Sequence, residues 1–224
     1  MLLPEQWIKK YFRKARASEI LLVAVNLGPL AAVFSMGWKT FDVVFVYWLE
    51  SLVIGIFSVL KLIKIGQSGQ TPAMPALFFL VHYGMFTLGM FIAIVGCFGP
   101  AGFTQGIGGE PLQRATDYIF HERFFDFMMA ATSFALSHGF SYRQNFIGKK
   151  EYLIKRYINE AVATPYLRLG LTIVVVFFAV VLLPKKQVSG RMCAVLLIAL
   201  KTLTDLFAHR REHRISLSIL PARR

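Results

Sequence analysis

The sequence contains few charged residues and almost no cysteine. Only 17% of its 224 residues are charged, whereas 56% are hydrophobic. Soluble domains carry about a quarter charged residues, so the composition excludes an ordinary soluble protein, which could not bury this much apolar surface. Two cysteines, Cys97 and Cys193, are too few and too far apart for a disulfide framework or a metal knuckle. Each is interpreted as a small apolar packing residue.

The sequence also lacks an internal repeat and a cleavable signal peptide. The missing repeat disfavours an inverted-repeat transporter. Residues 1–17 are cationic and contain no small-residue cleavage site before a mature domain. Apolar residues recur there at helical spacing among five Lys and Arg, which predicts an amphipathic helix in the headgroup plane. A charged flank that only sets topology is an equally weighted alternative.

Six apolar segments are long enough to cross a bilayer, for which about 20 mainly apolar residues suffice. They cover residues 18–36, 41–63, 75–97, 124–145, 166–184 and 188–209. The fold class is therefore predicted to be all-α, a six-helix transmembrane domain over residues 18–209, preceded by the helix at 1–17 and followed by a basic tail at 210–224. Within the longest connection, 98–123, the run Leu112–Phe120 is predicted to form a short helix.

The distribution of positive charge predicts the orientation of these spans. The formal net charge is +13, but the cations lie between the apolar runs, which argues against nucleic acid as a partner. With the N-terminus inside, cytoplasmic segments hold 18 Lys and Arg and the opposite side holds six. The positive-inside rule then favours cytoplasmic N- and C-termini in a bacterial inner membrane containing anionic lipids.

Polar residues inside the predicted spans are candidates for function, because ionisable groups are costly in lipid. At about 1.5 Å per residue, they fall in the cytoplasmic half of the membrane or near its midplane. This shared depth predicts one polar pocket open to the cytoplasm; independent hydrogen bonds that hold the bundle together are the alternative. The candidates are Asn26, Glu50, His82, Ser137, His138, Lys201, Asp205, His209 and His213, of which Asn26 and Ser137 are interpreted as supporting residues.

The last span carries Lys201, Asp205, His209 and His213, each four residues from the next. Imidazole and carboxylate are suitable ligands for zinc or iron. Such a row drifts around the helix, so its two ends cannot both face one ion. The predicted metal ligands are therefore His82, His138, Asp205 and His209, with His213 in an interfacial supporting role.

Glu50 and Lys201 are predicted to act in catalysis. They are interpreted as partners, since an unpaired charge at that depth would neutralise itself through a shifted pKa. In a metal-dependent enzyme, Glu50 would be the base that takes a proton from metal-bound water. A purely structural ion pair is the alternative.

Several short motifs resemble an uncharacterised bacterial family of multi-pass membrane proteins, over nearly the whole chain. They are Val25-Asn26-Leu27, Tyr47-Trp48-Leu49-Glu50, Phe78 to Gly84, Ser137-His138, Ile147-Gly148, Glu151-Tyr152, Pro165-Tyr166 with Arg168, and Lys201-Thr202 with Asp205. The resemblance implies the membrane architecture and these polar positions, but no reaction. It also implies additional histidines at the positions of Gly89 and Gly170, so that a larger ligand set is depleted in this chain. A looser similarity to seven-helix zinc hydrolases of membranes is analogy only.

Four functions are consistent with these patterns. The first is a metal-dependent membrane enzyme that hydrolyses a lipid or amide, and the next is an accessory or scaffold subunit of a membrane complex. A haem b-binding electron-transfer subunit would use His82 and His138 as axial ligands. A small transporter built around Glu50, Lys201 and Asp205 would need to form a homo-oligomer.

Overall fold

A computed structural model of the protein describes residues 23, 26–69, 74–98, 109–148, 150–153, 157–182 and 190–219. These residues form helices and no strands, which confirms the all-α prediction for this part of the chain. The seven α-helices in it are α1 (Gly28–Ser35), α2 (Thr40–Gln67), α3 (Met74–Phe98), α4 (Gly109–Asp117), α5 (Phe124–Ser141), α6 (Tyr157–Leu182) and α7 (Gly190–Ile219). Two π-helical turns, Tyr118–Glu122 and Tyr142–Ile147, and a 3₁₀ turn, Glu151–Leu153, complete the described backbone.

Two helices are long and apolar enough to cross a membrane. They are Thr40–Gln67 and Pro75–Phe98, which correspond to the second and third predicted spans. The 28 residues of α2 measure about 42 Å, longer than a hydrocarbon core of about 30 Å. The other four spans stay predictions, since no further described helix passes this test. The amphipathic helix predicted at residues 1–17 lies outside the described residues.

The chain divides into two compact units. The terminal unit comprises residues 1–39 and 182–224, and the central unit comprises residues 40–181. In the terminal unit, α7 buries Cys193, Ala194, Leu197 and Ile198. Cys193 thus packs as the small apolar residue that the sequence predicts. Helix α7 continues to Ile219, beyond the predicted end of the sixth span at residue 209.

Helix α2 forms the core of the central unit. Its first eight residues, 40–47, are all buried, because neighbouring elements surround this end of the helix. The Phe45 ring lies 4.5 Å from that of Phe127 on α5 and 6.4 Å from that of Phe91 on α3. The indole Nε1 of Trp48 donates a hydrogen bond to the backbone oxygen of Thr87 at 2.8 Å, which fixes α3 against α2.

The long helices of the central unit alternate in direction along the chain. Phe45 meets Phe91, and Gly55 meets Tyr83, so α2 and α3 are antiparallel. Phe45 meets Phe127, and Phe57 meets His138 further along both helices, so α2 and α5 are parallel. Helices α3 and α6 are also parallel, because His82 meets Tyr166 and later residues of both helices line one groove.

The connection between α3 and α5 contains the predicted short helix. It runs from Gly109 to Asp117 and continues as the π-helical turn to Glu122. Tyr118 is buried, and its ring packs edge-on against Phe41 at the start of α2, with centroids 5.6 Å apart. This contact attaches the connection to the central helix.

Candidate functional site

The central unit contains an oriented histidine. His82 Nδ1 lies 2.7 Å from the Tyr166 hydroxyl oxygen of α6, and the imidazole is exposed. Phe78 and Phe86, one turn before and after it on α3, hold the ring with centroid distances of 5.1 and 5.0 Å. A bond at Nδ1 fixes the orientation of the ring and leaves Nε2 for a ligand or a proton. Within the described part of the chain, His82 makes no second hydrogen bond.

Tyr166 connects this histidine to a more buried polar group. Its ring packs edge-on against Tyr83, with centroids 5.5 Å apart, and the Tyr83 hydroxyl donates a hydrogen bond to the backbone oxygen of Ser51 at 2.9 Å. Glu50, Tyr166 and Arg168 all interact electrostatically with Tyr83. We call Glu50, His82, Tyr83, Tyr166 and Arg168 the His82–Tyr166 site.

A glycine allows the two helices to approach at this site. A Cβ atom at Gly55 of α2 would lie 2.6 Å from Tyr83 Cε1 and 3.0 Å from Cδ1. Real Cβ atoms do not come so close to a ring, so any larger residue would push Tyr83 away. Gly55 therefore positions Tyr83, and the Tyr83 ring in turn supports Tyr166.

His138 has a different environment. It is half-buried on α5, and its ring stacks on Phe57 of α2 with centroids 6.2 Å apart. His82, in contrast, packs on α6 and on its own helix. The neighbouring Ser137 is exposed. The two imidazoles thus contact different partners, and their predicted role as joint ligands stays a prediction.

In the terminal unit, Lys201 and Asp205 form a buried ion pair. Lys201 Nζ donates to both carboxylate oxygens of Asp205, at 2.7 and 2.6 Å, and both residues are buried. Asp205 lies one helical turn from Lys201 on the same helix, and the predicted pairing of Lys201 with Glu50 of the central unit stays a prediction. Both carboxylate oxygens of Asp205 thus accept from Lys201, and the predicted role of Asp205 as a metal ligand stays a prediction.

The remaining predicted residues are only partly described. Asn26 is half-buried in a helical conformation in the terminal unit. His209 and His213 lie within α7, but their side chains are outside what the structure describes. Among the described residues, no three His, Cys, Asp or Glu side chains are grouped to hold a metal. The zinc or iron site and the haem site therefore stay predictions.

A second polar cluster, at the first turn of α2, was missed in the sequence. Asp42 is fully buried and accepts hydrogen bonds from the Tyr118 hydroxyl at 3.0 and 3.2 Å. Arg123 Nε donates to the Tyr118 oxygen at 3.2 Å, and Arg123 Nη1 pairs with Asp126 at 3.1 Å. Burial raises the pKa of Tyr118 to about 12, and the bond to Tyr118 raises that of Arg123.

Two residues of this cluster could have been predicted from the sequence. Asp42 and Asp126 both lie inside predicted spans. They therefore meet the criterion that selected Glu50, because a charged side chain inside a span is costly. Tyr118 and Arg123 gave no such indication, because they belong to the connection. We call Asp42, Tyr118, Arg123 and Asp126 the Asp42 cluster.

A family model described as "Family of unknown function (DUF6498)" matches residues 10–218. The chain belongs to this family. The predicted resemblance to an uncharacterised family is thereby confirmed. The matched residues of this DUF6498 protein include the whole His82–Tyr166 site, the Asp42 cluster and the Lys201–Asp205 pair. No curated protein and no solved structure matches the sequence.

The chemistry available to the DUF6498 chain differs between its polar groups. Lys201, Asp205, Asp42 and Tyr118 are buried, and the charged groups of the Lys201–Asp205 pair and of the Asp42 cluster bond to one another. The His82–Tyr166 site alone among these three combines an exposed imidazole with a fixed ring orientation. An imidazole held in this way is suited to accept or donate a proton, or to bind a metal through Nε2.

Proposed function

We propose that the protein is a multi-pass protein of a bacterial inner membrane, with six spans and both termini in the cytoplasm. The alternating directions of α2, α3, α5 and α6 support this proposal, since consecutive spans must cross in opposite directions. The apolar length of α2 and α3 supports it as well.

The charges at the two ends of the central unit also support this orientation. Lys61 and Lys64 of α2 lie over the rings of Phe146 and Tyr152, 5.9 and 5.5 Å from their centroids. This end also carries Arg143 and Lys150. The opposite end has mixed charges, since Asp42, Asp117, Glu122 and Asp126 lie there together with Arg114 and Arg123. The positive-inside rule assigns the basic end to the cytoplasm, where it would contact anionic lipids.

We further propose that the protein is a membrane enzyme whose acid–base residue is His82, acting on a substrate dissolved in the bilayer. The observation that carries this proposal is the 2.7 Å contact between His82 Nδ1 and Tyr166 Oη on an exposed ring. Tyr166 orients the imidazole, and Nε2 exchanges the proton with substrate. Arg168 and Glu50 supply charges close to Tyr83, against which Tyr166 packs.

Lipid turnover by the reconstituted protein tests this role. Purified protein is placed in liposomes made from total bacterial lipid, and untargeted mass spectrometry follows lipids that disappear and products that form. We expect wild-type protein to convert at least one lipid, and His82→Gln to abolish the conversion. The matched control is His121→Gln, because His121 is exposed on the π-helical turn outside the site. Equal conversion by wild type and His82→Gln, or no conversion by either, contradicts the proposal.

Metal-dependent hydrolysis is a second candidate, favoured by the same His82 Nε2. In this version His82 Nε2 would be one ligand of a zinc or iron ion, which would polarise a water for hydrolysis. Element analysis of the washed protein decides it: stoichiometric zinc or iron that is lost in His82→Ala supports it, and metal-free protein that still converts lipid eliminates it. The absorption spectrum of the same sample tests haem, which requires a Soret band.

A further inference from the structure

An open apolar groove lies between α3 and α6. Its volume is about 390 Å³, and its walls include Met85, Phe86, Gly89 and Ala93 of α3 with Ile173 and Val176 of α6. The floor is open at Gly89, where an added Cβ would meet no atom within 4 Å. Small-molecule sites in proteins have volumes of about 300 to 1,000 Å³, so the groove is large enough for a ligand.

The groove is continuous with the His82–Tyr166 site. Phe86 lines the groove and also contacts the His82 ring, with centroids 5.0 Å apart. Positions 82, 86, 89 and 93 recur every three or four residues, so they form one stripe along α3. Since α3 and α6 are parallel, Tyr166 and Ile173 follow the same course on α6. His82 and Tyr166 therefore lie at one end of the apolar groove. The groove extends about 12 Å from Met85 to Ala93.

We propose that this groove binds a long-chain fatty acid, with its acyl chain between α3 and α6 and its carboxyl group at His82. An apolar channel with a polar group at one end matches an amphipathic molecule with a single chain. The exposed imidazole hydrogen-bonds a carboxyl group through Nε2, and Phe86, which contacts the imidazole ring, also belongs to the apolar wall along which the acyl chain lies. The inference rests on the proposed function, because the headgroup end is the His82–Tyr166 site.

Photocrosslinking in the full-length protein tests the inference. The probe is a long-chain fatty acid with a mid-chain diazirine, and labelled peptides are identified by mass spectrometry after irradiation in detergent. We expect the label on residues 85–93 and 173–176, and we expect unlabelled fatty acid, but not the alkane of equal length, to compete. Gly89→Phe fills the groove and should lower labelling about tenfold, which corresponds to about 1.4 kcal/mol of binding free energy.

A second glycine of α3 provides the matched control. Gly84 also has no atom within 4 Å of an added Cβ, and it lines a separate groove between α2 and α3. The probe should therefore label Gly84→Phe to the same extent as the wild type. Even labelling of all lipid-facing segments, or equal loss in both variants, overturns the inference and indicates nonspecific lipid contact.

The two proposals fail separately. If His82→Gln abolishes lipid conversion while Gly89→Phe labels like the wild type, acid–base function stands and the fatty-acid site is refuted. If labelling follows the groove while His82→Gln converts lipid normally, the binding site stands and the proposed function is refuted.

Discussion

Replacement of Lys201 by methionine should destabilise the protein strongly. Lys201 and Asp205 are only 2% and 5% exposed, and the ammonium lies 2.7 and 2.6 Å from the two carboxylate oxygens. Methionine has a similar volume but no charge, so Lys201→Met leaves the buried carboxylate without this cation. Removing one partner of a buried ion pair costs about 3–5 kcal/mol. We expect a loss of this size in the free energy of unfolding.

Denaturant titration in detergent micelles, followed by circular dichroism, measures this loss. The double variant Lys201→Met with Asp205→Leu is the control, because replacing both members of a buried pair with apolar residues is often close to neutral. It should recover most of the stability that the single variant loses. A single variant within about 1 kcal/mol of the wild type, or a double variant no more stable than the single one, would refute the assignment of a buried charge pair.

Three further predictions concern the central unit. Tyr118→Phe should cost about 1.5–3 kcal/mol of unfolding free energy, because it removes a hydrogen bond to the buried carboxylate of Asp42. Burial raises the pKa of Tyr118 from 10.0 to about 12. The contribution of neutral Tyr118 to the free energy of unfolding is therefore complete below pH 10 and is lost as the pH rises through 12. Unfolding measured at increasing alkaline pH should show this loss in the wild type but not in Tyr118→Phe. Gly55→Ala should cost about 1–3 kcal/mol through its contact with the Tyr83 ring, whereas Gly84→Ala should be neutral or stabilising in the same unfolding assay. Trp48→Phe should cost about 1 kcal/mol, because it loses the hydrogen bond to the α3 backbone, and equal thermal stability of this variant would contradict that assignment.

The helical part of the fold could be predicted because its cause is local. Apolar runs at residues 41–63 and 75–97 correspond to helices at 40–67 and 74–98, since runs of this length satisfy their backbone hydrogen bonds internally. The π-helical turns that end α4 and α5 were not predicted. They depend on tertiary contacts, such as the packing of Tyr118 against Phe41.

The candidate site could be predicted only in part. Glu50 and His82 could be predicted because ionisable residues inside a predicted span are rare and costly. The contact between His82 and Tyr166 could not, because these residues are 84 positions apart in the sequence. That contact depends on the parallel packing of α3 and α6, which no local pattern specifies. The Lys201–Asp205 pair, in contrast, has a local pattern, because residues four apart are neighbours on one helix. The prediction that Glu50 also pairs with Lys201 stays a prediction.

Nitrogen NMR of His82 tests the central claim most directly. With ¹⁵N-labelled histidine in detergent-solubilised protein, His82→Gln identifies the signals of this residue. The hydrogen bond to Tyr166 predicts one fixed tautomer of His82 in the wild type and a mixture of two tautomers in Tyr166→Phe. Identical His82 spectra in the two proteins would contradict the claim that Tyr166 orients the imidazole.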